Sequence, residues 1–209
     1  TDRLLLRRWR PEDREPFAQL NADPEVMQFF VSTMTREDSD AFVDVIEAGF
    51  AERGFGLWAV EAITTGTLIG FTGLIYQTFE APFTPAVEIG YRFARHAWGQ
   101  GYATEAANEA VRYGFEQASL AEIVSMTAVR NVRSQAVMNR LGMTHDPADD
   151  FDHPRVPDGH PLKRHVLYRL TAEQWRAGRG DSGPHPQQSL AWRPAASEDD
   201  SLATRFGSH

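Results

Sequence analysis

Apolar and polar positions in the first quarter of the chain predict one strand and two helices. Leu4 to Trp9 alternates as a strand does. Pro11-Glu12-Asp13 supplies helix-start residues, and a short apolar stripe follows from Phe17 to Leu20. Thr35 to Asp38 resembles a capping box, and Gly54 is placed to end the helix that it opens. The apolar residues between them recur at helical spacing: Ala41, Phe42, Val45, Ile46 and Phe50.

The middle of the chain predicts three consecutive strands. Leu57 to Glu61, Leu68 to Tyr76 and Val87 to Phe93 are rich in β-branched and aromatic residues. Thr64-Thr65-Gly66-Thr67 separates the first two of them by the distance typical of a hairpin. We therefore expect an antiparallel meander.

Helices and strands then alternate. From Thr104 to Ala118, small and apolar residues share one helical face, and Ile123 to Ala128 is typical of a buried strand. Val132 to Arg140 predicts a second short helix closed by Gly142, and His165 to Leu170 predicts the last strand. The helix from Thr104 connects the strand Val87 to Phe93 with the strand Ile123 to Ala128. A connection through a helix is typical of parallel strands, so these two strands should pair in parallel.

The composition of the chain changes near residue 178. Residues 1–177 contain every predicted element and are expected to form one domain, as the length of 209 residues also suggests. Residues 178–209 are punctuated by glycine and proline, and their large apolar residues are scattered. We expect them to form a flexible C-terminal tail, with docking of Trp192 on the domain as the alternative.

Composition and charge narrow the function. The chain has no cysteine, which excludes disulfides, thiolate metal sites and a cysteine nucleophile. A net charge of −8 disfavours a nucleic-acid binder, because affinity for phosphates needs a basic surface. The first residues do not resemble a signal peptide, and no window has the length of a membrane span. These features predict a cytoplasmic protein that binds neither nucleic acid nor membranes.

Gly99-Gln100-Gly101-Tyr102-Ala103 lies between a predicted strand and a helix. Backbone N–H groups and the positive end of the helix can converge there on one anion. A glycine pair before a helix is by itself weak evidence, and a plain tight turn is the simpler interpretation. The segment has neither the phosphate-loop pattern of nucleoside triphosphatases nor the full dinucleotide fingerprint. The remaining hypothesis for this loop is that it binds a diphosphate cofactor of another kind.

The chain resembles the GNAT acyltransferases, and most closely their RimJ/RimL-like branch. The resemblance spans residues 3 to 172 and rests on Glu88-Ile-Gly-Tyr-Arg, Trp98-Gly-Gln-Gly-Tyr-Ala-Thr-Glu-Ala and Asn131-Val-Arg-Ser. It implies an α/β (α+β) fold in which helices flank a twisted, mostly antiparallel mixed sheet with one splayed parallel pair. Acetyl-CoA would lie in that split, and its acetyl group would pass to a protein N-terminus or a small amine.

The resemblance also implies which residues bind the cofactor. The backbone of Ile89, Gly90 and Tyr91 would pair with the pantetheine arm, and Asn131 would contact the cofactor from beyond the fifth strand. The pyrophosphate would lie against the phosphate loop, which comprises Gly99, Gln100, Gly101, Tyr102, Ala103 and Thr104.

Two positions depart from the family pattern. Trp98 occupies a position where the family often has Gln or Arg, so phosphate binding is expected to rely on backbone N–H groups, with Arg95 as a further source of charge. Met138 occupies the position of the tyrosine that protonates the leaving thiolate in many members. Ser134 is the replacement that the RimL-like branch suggests, although a serine there can equally be a helix cap.

Glu88 is the candidate general base. An amine with a pKa of roughly 8 to 10 is largely protonated at neutral pH and must lose a proton before it attacks. Glu88 is expected at the end of its strand where the sheet opens, and a solvated carboxylate without a catalytic role is the alternative. A backbone N–H between Gly90 and Phe93 would stabilise the oxyanion.

Acceptor recognition is expected from two segments. Phe29 and Phe30 precede the second helix, and residues 151–160 form an aromatic, acidic loop in which Asp152 could hold a cationic amine and His153 could move a proton. A rigid solvated connection is the alternative for this loop. Its two histidines lack the spacing of metal ligands, so no metal is expected.

The sequence leaves two further questions open: whether the protein is an enzyme at all, and its oligomeric state. A non-catalytic acyl-CoA-binding or protein-interaction module is the alternative to an enzyme, since the usual acid is absent. A homodimer also stays open.

Overall fold

An eight-stranded sheet forms the centre of the computed structural model, which describes residues 1–180. The strands are β1 (Leu4–Arg7), β2 (Leu57–Ala62), β3 (Thr67–Gln77), β4 (Ala86–Phe93), β5 (Glu122–Ala128), β6 (Thr144–His145), β7 (Phe151–Asp152) and β8 (Arg164–Thr171). They follow the order β1-β2-β3-β4-β5-β8-β6, and β7 also pairs with β8. All pairs are antiparallel except β4 with β5. The predicted meander and the predicted parallel pair are confirmed.

Helices cover both faces of the sheet. They are α1 (Arg14–Ala22), α2 (Arg36–Arg53), α3 (Tyr102–Glu116), α4 (Val132–Arg140) and α5 (Ala172–Gly178). Apolar side chains of α1 and α2 pack with those of β2 and β3 in one core cluster. Those of α3 and α4 pack with β3, β4, β5 and β8 in another. The sheet therefore separates the α1–α2 side of the molecule from the α3–α4 side.

The parallel pair of β4 and β5 is short. Its register consists of Glu88 opposite Val124, and the hydroxyl of Ser125 donates to the carbonyl of Ile89 at 3.1 Å. By contrast, β3 and β4 pair along their length, from Gln77 opposite Ala86 to Gly70 opposite Phe93. The two parallel strands thus separate toward their carboxyl ends, which is the split that the family resemblance implies.

Local signals placed the ends of α2 correctly. The Thr35 hydroxyl accepts a hydrogen bond from the amide of Asp38 at 3.1 Å, and Gly54 ends the helix with φ at +75°. The prediction for the first strand was too long, because Trp9 leaves the ladder and donates its indole N–H to the Leu57 carbonyl at 2.7 Å. The prediction of a helix from Thr104 was two residues late, since α3 begins at Tyr102.

None of the helices within residues 1–180 is long and apolar enough to cross a lipid bilayer.

The predicted tail, residues 178–209, lies outside the described residues apart from its first three positions. Helix α5 ends at Gly178, and its Trp175 packs on Phe115 at 5.3 Å between ring centroids. We predict that a chain ending at residue 177 keeps both its thermal midpoint and its affinity for acetyl-CoA, because the scattered apolar residues of 178–209 offer no continuous face to the core. Thermal unfolding and cofactor titration of the two lengths check this. A fall of the midpoint by several degrees would move the domain boundary into the tail.

Candidate active site

The predicted phosphate loop has the backbone of an anion cradle. Gly99 and Gly101 have φ of +76° and +81°, a left-handed conformation that costs residues other than glycine about 1–2 kcal/mol. The first helical hydrogen bond of α3 runs from the amide of Glu105 to the carbonyl of Gly101. The preceding amides of Tyr102, Ala103 and Thr104 therefore have no partner within the helix and can bind an anion at its positive end.

A cavity of about 970 Å³ begins at this helix start. It runs along the carboxyl half of β4, the first turns of α4 and the segment between α1 and α2. Most of the residues singled out in the sequence line it together: Phe29, Phe30, Tyr91, Gly99, Gly101, Tyr102, Ala103, Thr104, Asn131 and Ser134. Its position coincides with the opening between β4 and β5.

Tyr91 and Ser134 form a hydroxyl pair on the wall of this cavity. The two hydroxyl oxygens are 2.9 Å apart, and the Tyr91 hydroxyl also donates to the Ser134 carbonyl at 3.0 Å. Burial raises the pKa of the Tyr91 phenol, so that it keeps its proton at neutral pH. The pair can therefore donate a hydrogen bond to an atom that occupies the cavity.

The cap of α4 is Asn131 and not Ser134. Its side-chain oxygen accepts the Ser134 amide at 3.2 Å, and its amide group donates to the Thr127 hydroxyl at 2.9 Å. This corrects the interpretation of Ser134 as a cap, because the serine hydroxyl instead contacts Tyr91. Asn131 lines the cavity, but both ends of its side-chain amide already make hydrogen bonds within the protein.

Arginines supply most of the charge of the cavity wall. Arg92, Arg95, Arg133 and Arg140 line it, whereas Glu105 is the one acidic residue among its described lining residues. The guanidinium groups of Arg95 and Arg133 lie over the Trp98 ring at 4.9 and 5.0 Å from its centroid. Phosphate groups in the cavity would therefore meet further arginines besides the backbone amides and the Arg95 that the sequence suggested.

Three of these arginines were missed in the sequence. Arg133 and Arg140 are the two charged residues of the short helix that directly follows Asn131, and this position beside an expected cofactor contact could have found them. Arg92 could have been found as a charged residue inside an apolar strand.

Glu88 lies elsewhere than expected. It belongs to the paired part of β4, opposite Val124, and it is 1% exposed. Its carboxylate accepts a hydrogen bond from the Gln77 side chain at 2.6 Å. Glu88 is absent from the cavity lining, as are Ile89 and Gly90. The expected position of Glu88 at the open end of the strand is therefore wrong, because the strands separate only beyond it.

Gln100 also differs from the rest of its loop. Its side chain donates to the His96 carbonyl at 3.1 Å, and its own carbonyl accepts from Arg3 at 3.1 Å. It does not line the cavity.

Asp152 and His153 do not reach the cavity. Asp152 is exposed and lies 3.4 Å from Arg164. The His153 ring is 1% exposed and packs on Phe79 and His165, each at 4.9 Å between centroids. Burial, followed by the nearby cationic groups, lowers the pKa of His153 to about 3, so the ring is neutral at physiological pH.

The loop that follows β7 packs behind the cavity lining and does not itself line the cavity. Val156 and Leu162 form a small core cluster with Ala128, and Phe29 packs against it. The structure thus brings together the two segments predicted to recognise the acceptor, but only Phe29 and Phe30 face the cavity. Residues 1–180 contain no group of three or more His, Asp or Glu residues that could hold a metal ion.

Comparisons with known proteins agree with this arrangement. A family model described as an acetyltransferase (GNAT) domain matches residues 3–144. The FsC-acetyl coenzyme A-N(2)-transacetylase of Aspergillus fumigatus is 35% identical to this chain in an alignment of 186 positions that covers 84% of this chain and 76% of that protein.

Solved structures share the fold. A GNAT-family acetyltransferase from Bacillus anthracis has a TM-score of 0.67 and 26% identity, over 82% of this chain and 96% of that chain. A spermidine N-acetyltransferase from Vibrio cholerae, solved with CoA and spermine, has a TM-score of 0.66 and 18% identity, over 84% of this chain and 99% of that chain.

The family match spans the strands, the phosphate loop and the helix start that form the cavity described above. The chain belongs to the GNAT acetyltransferase family and is an N-acetyltransferase that takes its acetyl group from acetyl-CoA.

Proposed function

We propose that the protein acetylates the primary amine of a small molecule or a protein N-terminus, as the RimJ/RimL-like branch does, by direct attack within a ternary complex. One observation carries the proposal: a single cavity joins the phosphate loop, the Tyr91–Ser134 pair and the aromatic residues Phe29 and Phe30. Cofactor and acceptor can therefore occupy it together. The Aspergillus relative is named for transfer to an N(2) amine, which supports a small-molecule acceptor.

The proposed reaction needs no covalent enzyme intermediate. The amine nitrogen attacks the thioester carbon, and an oxyanion forms that a backbone N–H of β4 between Gly90 and Phe93 stabilises. The C–S bond then breaks as the Tyr91–Ser134 hydroxyl pair hydrogen-bonds to the leaving thiolate, and the proton that completes the thiol passes through the pair from water. A thiol has an ordinary pKa of about 8.5, so this leaving group needs only limited help.

Glu88 remains the proposed base. Side chains alternate along a strand, so Glu88 and Arg92 share the face of β4 that looks toward α1 and α2, whereas Tyr91 looks toward α4. Because Glu88 does not line the cavity, it would take the amine proton through an intervening water. The other carboxylate at the site, Glu105, is already held by Arg3 at 2.7 Å.

An acceptor screen tests the proposed function. Acetyl-CoA is mixed with a panel of amino acids, polyamines, aromatic amines and short peptides, and thiol release is followed together with the mass of the product. We expect an N-acetylated primary amine. Tight binding of acetyl-CoA without turnover on any amine would contradict the proposal and favour a non-catalytic acyl-CoA-binding module.

We predict that Ser134→Ala lowers kcat about 10- to 100-fold and leaves the KM for acetyl-CoA within about threefold, because the lost hydroxyl serves the leaving thiolate and not binding. Steady-state kinetics with the best amine of the screen checks this. Ser134→Thr keeps the hydroxyl and is the matched control, which should recover most of the loss. Parent-like turnover of Ser134→Ala would remove the hydroxyl pair from the mechanism.

A further inference from the structure

Arg92 is a buried cation at the wall of the cavity. Its side chain extends from β4 toward the α1–α2 side, and the residue is 5% exposed. Its Nη1 donates to the Asn21 side-chain oxygen at 2.6 Å and contacts the Met34 sulfur at 3.8 Å. The guanidinium also lies over the Phe30 ring, 4.1 Å from its centroid. All of these contacts are to neutral groups.

One edge of this guanidinium has no hydrogen-bond partner within the part of the chain that the structure describes. Its Nε is buried and makes no hydrogen bond within residues 1–180, and the hydrogen bonds of the group there come from Nη1 alone. Arg92 also takes part in no ion pair among the described residues. Burial alone lowers its pKa, to about 9, with no carboxylate to offset it. An arginine presents its N–H groups as a planar fork that suits a carboxylate, and because Arg92 lines the cavity, a carboxylate there can accept from N–H groups that Asn21 leaves unused.

Burying an unpaired charge is costly, and proteins ordinarily satisfy such groups. Two carboxylates at or beside the cavity lining are paired with other arginines: Glu25 with Arg95 at 2.7 Å, and Glu105 with Arg3 at 2.7 Å. Although the whole chain carries a net charge of −8, the charged residues that line this cavity are four arginines and one glutamate. Its interior therefore favours an anionic group on the ligand.

Arg92 lies on the acceptor side of the cavity. Its contacts come from α1 and from the segment before α2, namely Asn21, Phe30 and Met34. The cofactor's phosphates are expected instead at the start of α3, near Arg133 and Arg140. A different face of β4 carries Tyr91 toward α4. A ligand group at the free edge of Arg92 would accordingly belong to the acceptor.

We propose that Arg92 binds a carboxylate of the acceptor, so that the substrate is an amino carboxylate, such as an amino acid, and not a polyamine. This inference rests on the proposed function, since it names the class of amine that the same site acetylates. By binding the carboxylate, Arg92 would orient the amine of the acceptor toward the opening between β4 and β5, where the thioester is expected.

Matched pairs of acceptors test the proposal. Lysine is compared with cadaverine, phenylalanine with phenethylamine, and alanine with ethylamine, because each pair differs only in the carboxylate. In each pair that the parent protein acetylates, kcat/KM should be about 10- to 100-fold higher for the amino acid than for the amine without the carboxylate. This is the range expected of a charged hydrogen-bonded contact. Equal turnover of both members of every pair, or preference for the amines, would overturn the proposal.

Substitution of the arginine separates acceptor recognition from cofactor binding. Arg92→Met keeps the apolar contacts and should bring the ratio of kcat/KM for each acid to that for its amine close to one, while the affinity for CoA stays near the parent value. Arg92→Lys retains a donor for Asn21 but lacks the fork, so it should lose part of the preference and covers the case in which the methionine variant does not fold. Arg112→Met on the exposed face of α3 is the control and should leave the preference unchanged. Weakened CoA binding in the Arg92 variants would assign Arg92 to the cofactor and overturn the proposal.

A binding measurement keeps this test independent of turnover. Calorimetric titration of lysine, phenylalanine and alanine into the protein saturated with CoA should show binding of at least one of them, with binding lost in Arg92→Met. If no amine is acetylated but this binding is seen, the proposed function fails and the carboxylate site stands. If acetylation is seen but the acids neither bind nor react better than their amines, the carboxylate site fails alone.

Discussion

Glu88→Gln should lower kcat at pH 7 by about 10²- to 10⁴-fold, the usual contribution of a general base. Glutamine preserves the shape of the side chain and can still bond to Gln77, so the expected loss comes from the missing proton acceptor. The deficit should shrink as pH rises toward the pKa of the acceptor amine, because solution then supplies the free amine that the carboxylate otherwise generates. The pH–rate profiles of kcat and kcat/KM measure this.

The control for Glu88 removes its neighbour. Gln77→Leu deletes the hydrogen bond at 2.6 Å but leaves the carboxylate, so it should cost much less than Glu88→Gln and keep the pH profile of the parent. Affinity for acetyl-CoA should barely change in either variant. If Glu88→Gln kept the height and the shape of the parent profile, Glu88 would serve the sheet and not the reaction. Equal losses in both variants without a change of pH dependence would assign it a positioning role.

Gly101→Val should weaken the binding of acetyl-CoA at least about 100-fold, since it withdraws more than one charge-assisted hydrogen bond of about 1.5–3 kcal/mol each. Gly101 has φ at +81° and heads α3, and a valine side chain would hold the pyrophosphate away from the amides behind it. The rise in thermal midpoint that acetyl-CoA gives the parent should nearly vanish, because a ligand stabilises only the state that it binds. Cofactor titration and thermal unfolding with and without acetyl-CoA measure both effects.

Gly54→Val separates strain from binding. Gly54 caps α2 with φ 75° and ψ −1°, close to the φ 81° and ψ 1° of Gly101, and a Cβ built on Gly54 meets nothing within 4 Å. Both variants should therefore lose a similar amount of stability, about 1–2 kcal/mol. Only Gly101→Val should lose affinity for the cofactor. A folded Gly101→Val protein with parent-like affinity would show that the pyrophosphate binds elsewhere.

The sequence predicted the parts of the fold that neighbouring residues decide. The ends of α2 follow from Thr35 and Gly54, because a cap and a left-handed glycine act within one turn of the chain. The meander follows from the alternation of its strands, and the phosphate loop follows from two glycines immediately before a helix. The family resemblance added an expected place for the cofactor, and residues 99–104, which it assigns to the pyrophosphate, line the cavity except for Gln100.

The environment of each charged side chain depends on contacts between segments that are distant in the sequence. Glu88 and Arg92 are both charged residues four positions apart on one strand, yet Glu88 is covered where β4 meets β5, and Arg92 reaches the cavity where these strands separate. His153 is sealed by Phe79 and His165, which lie far from it in sequence. Spacing along a chain cannot report such burial, because it depends on which strands pair and where they diverge. The sequence by itself therefore determined most of the elements, the family and the glycine loop before α3. The tertiary structure alone decided which charges are buried, which are paired, and that the charged residues of the cavity wall are mostly cationic in an acidic protein.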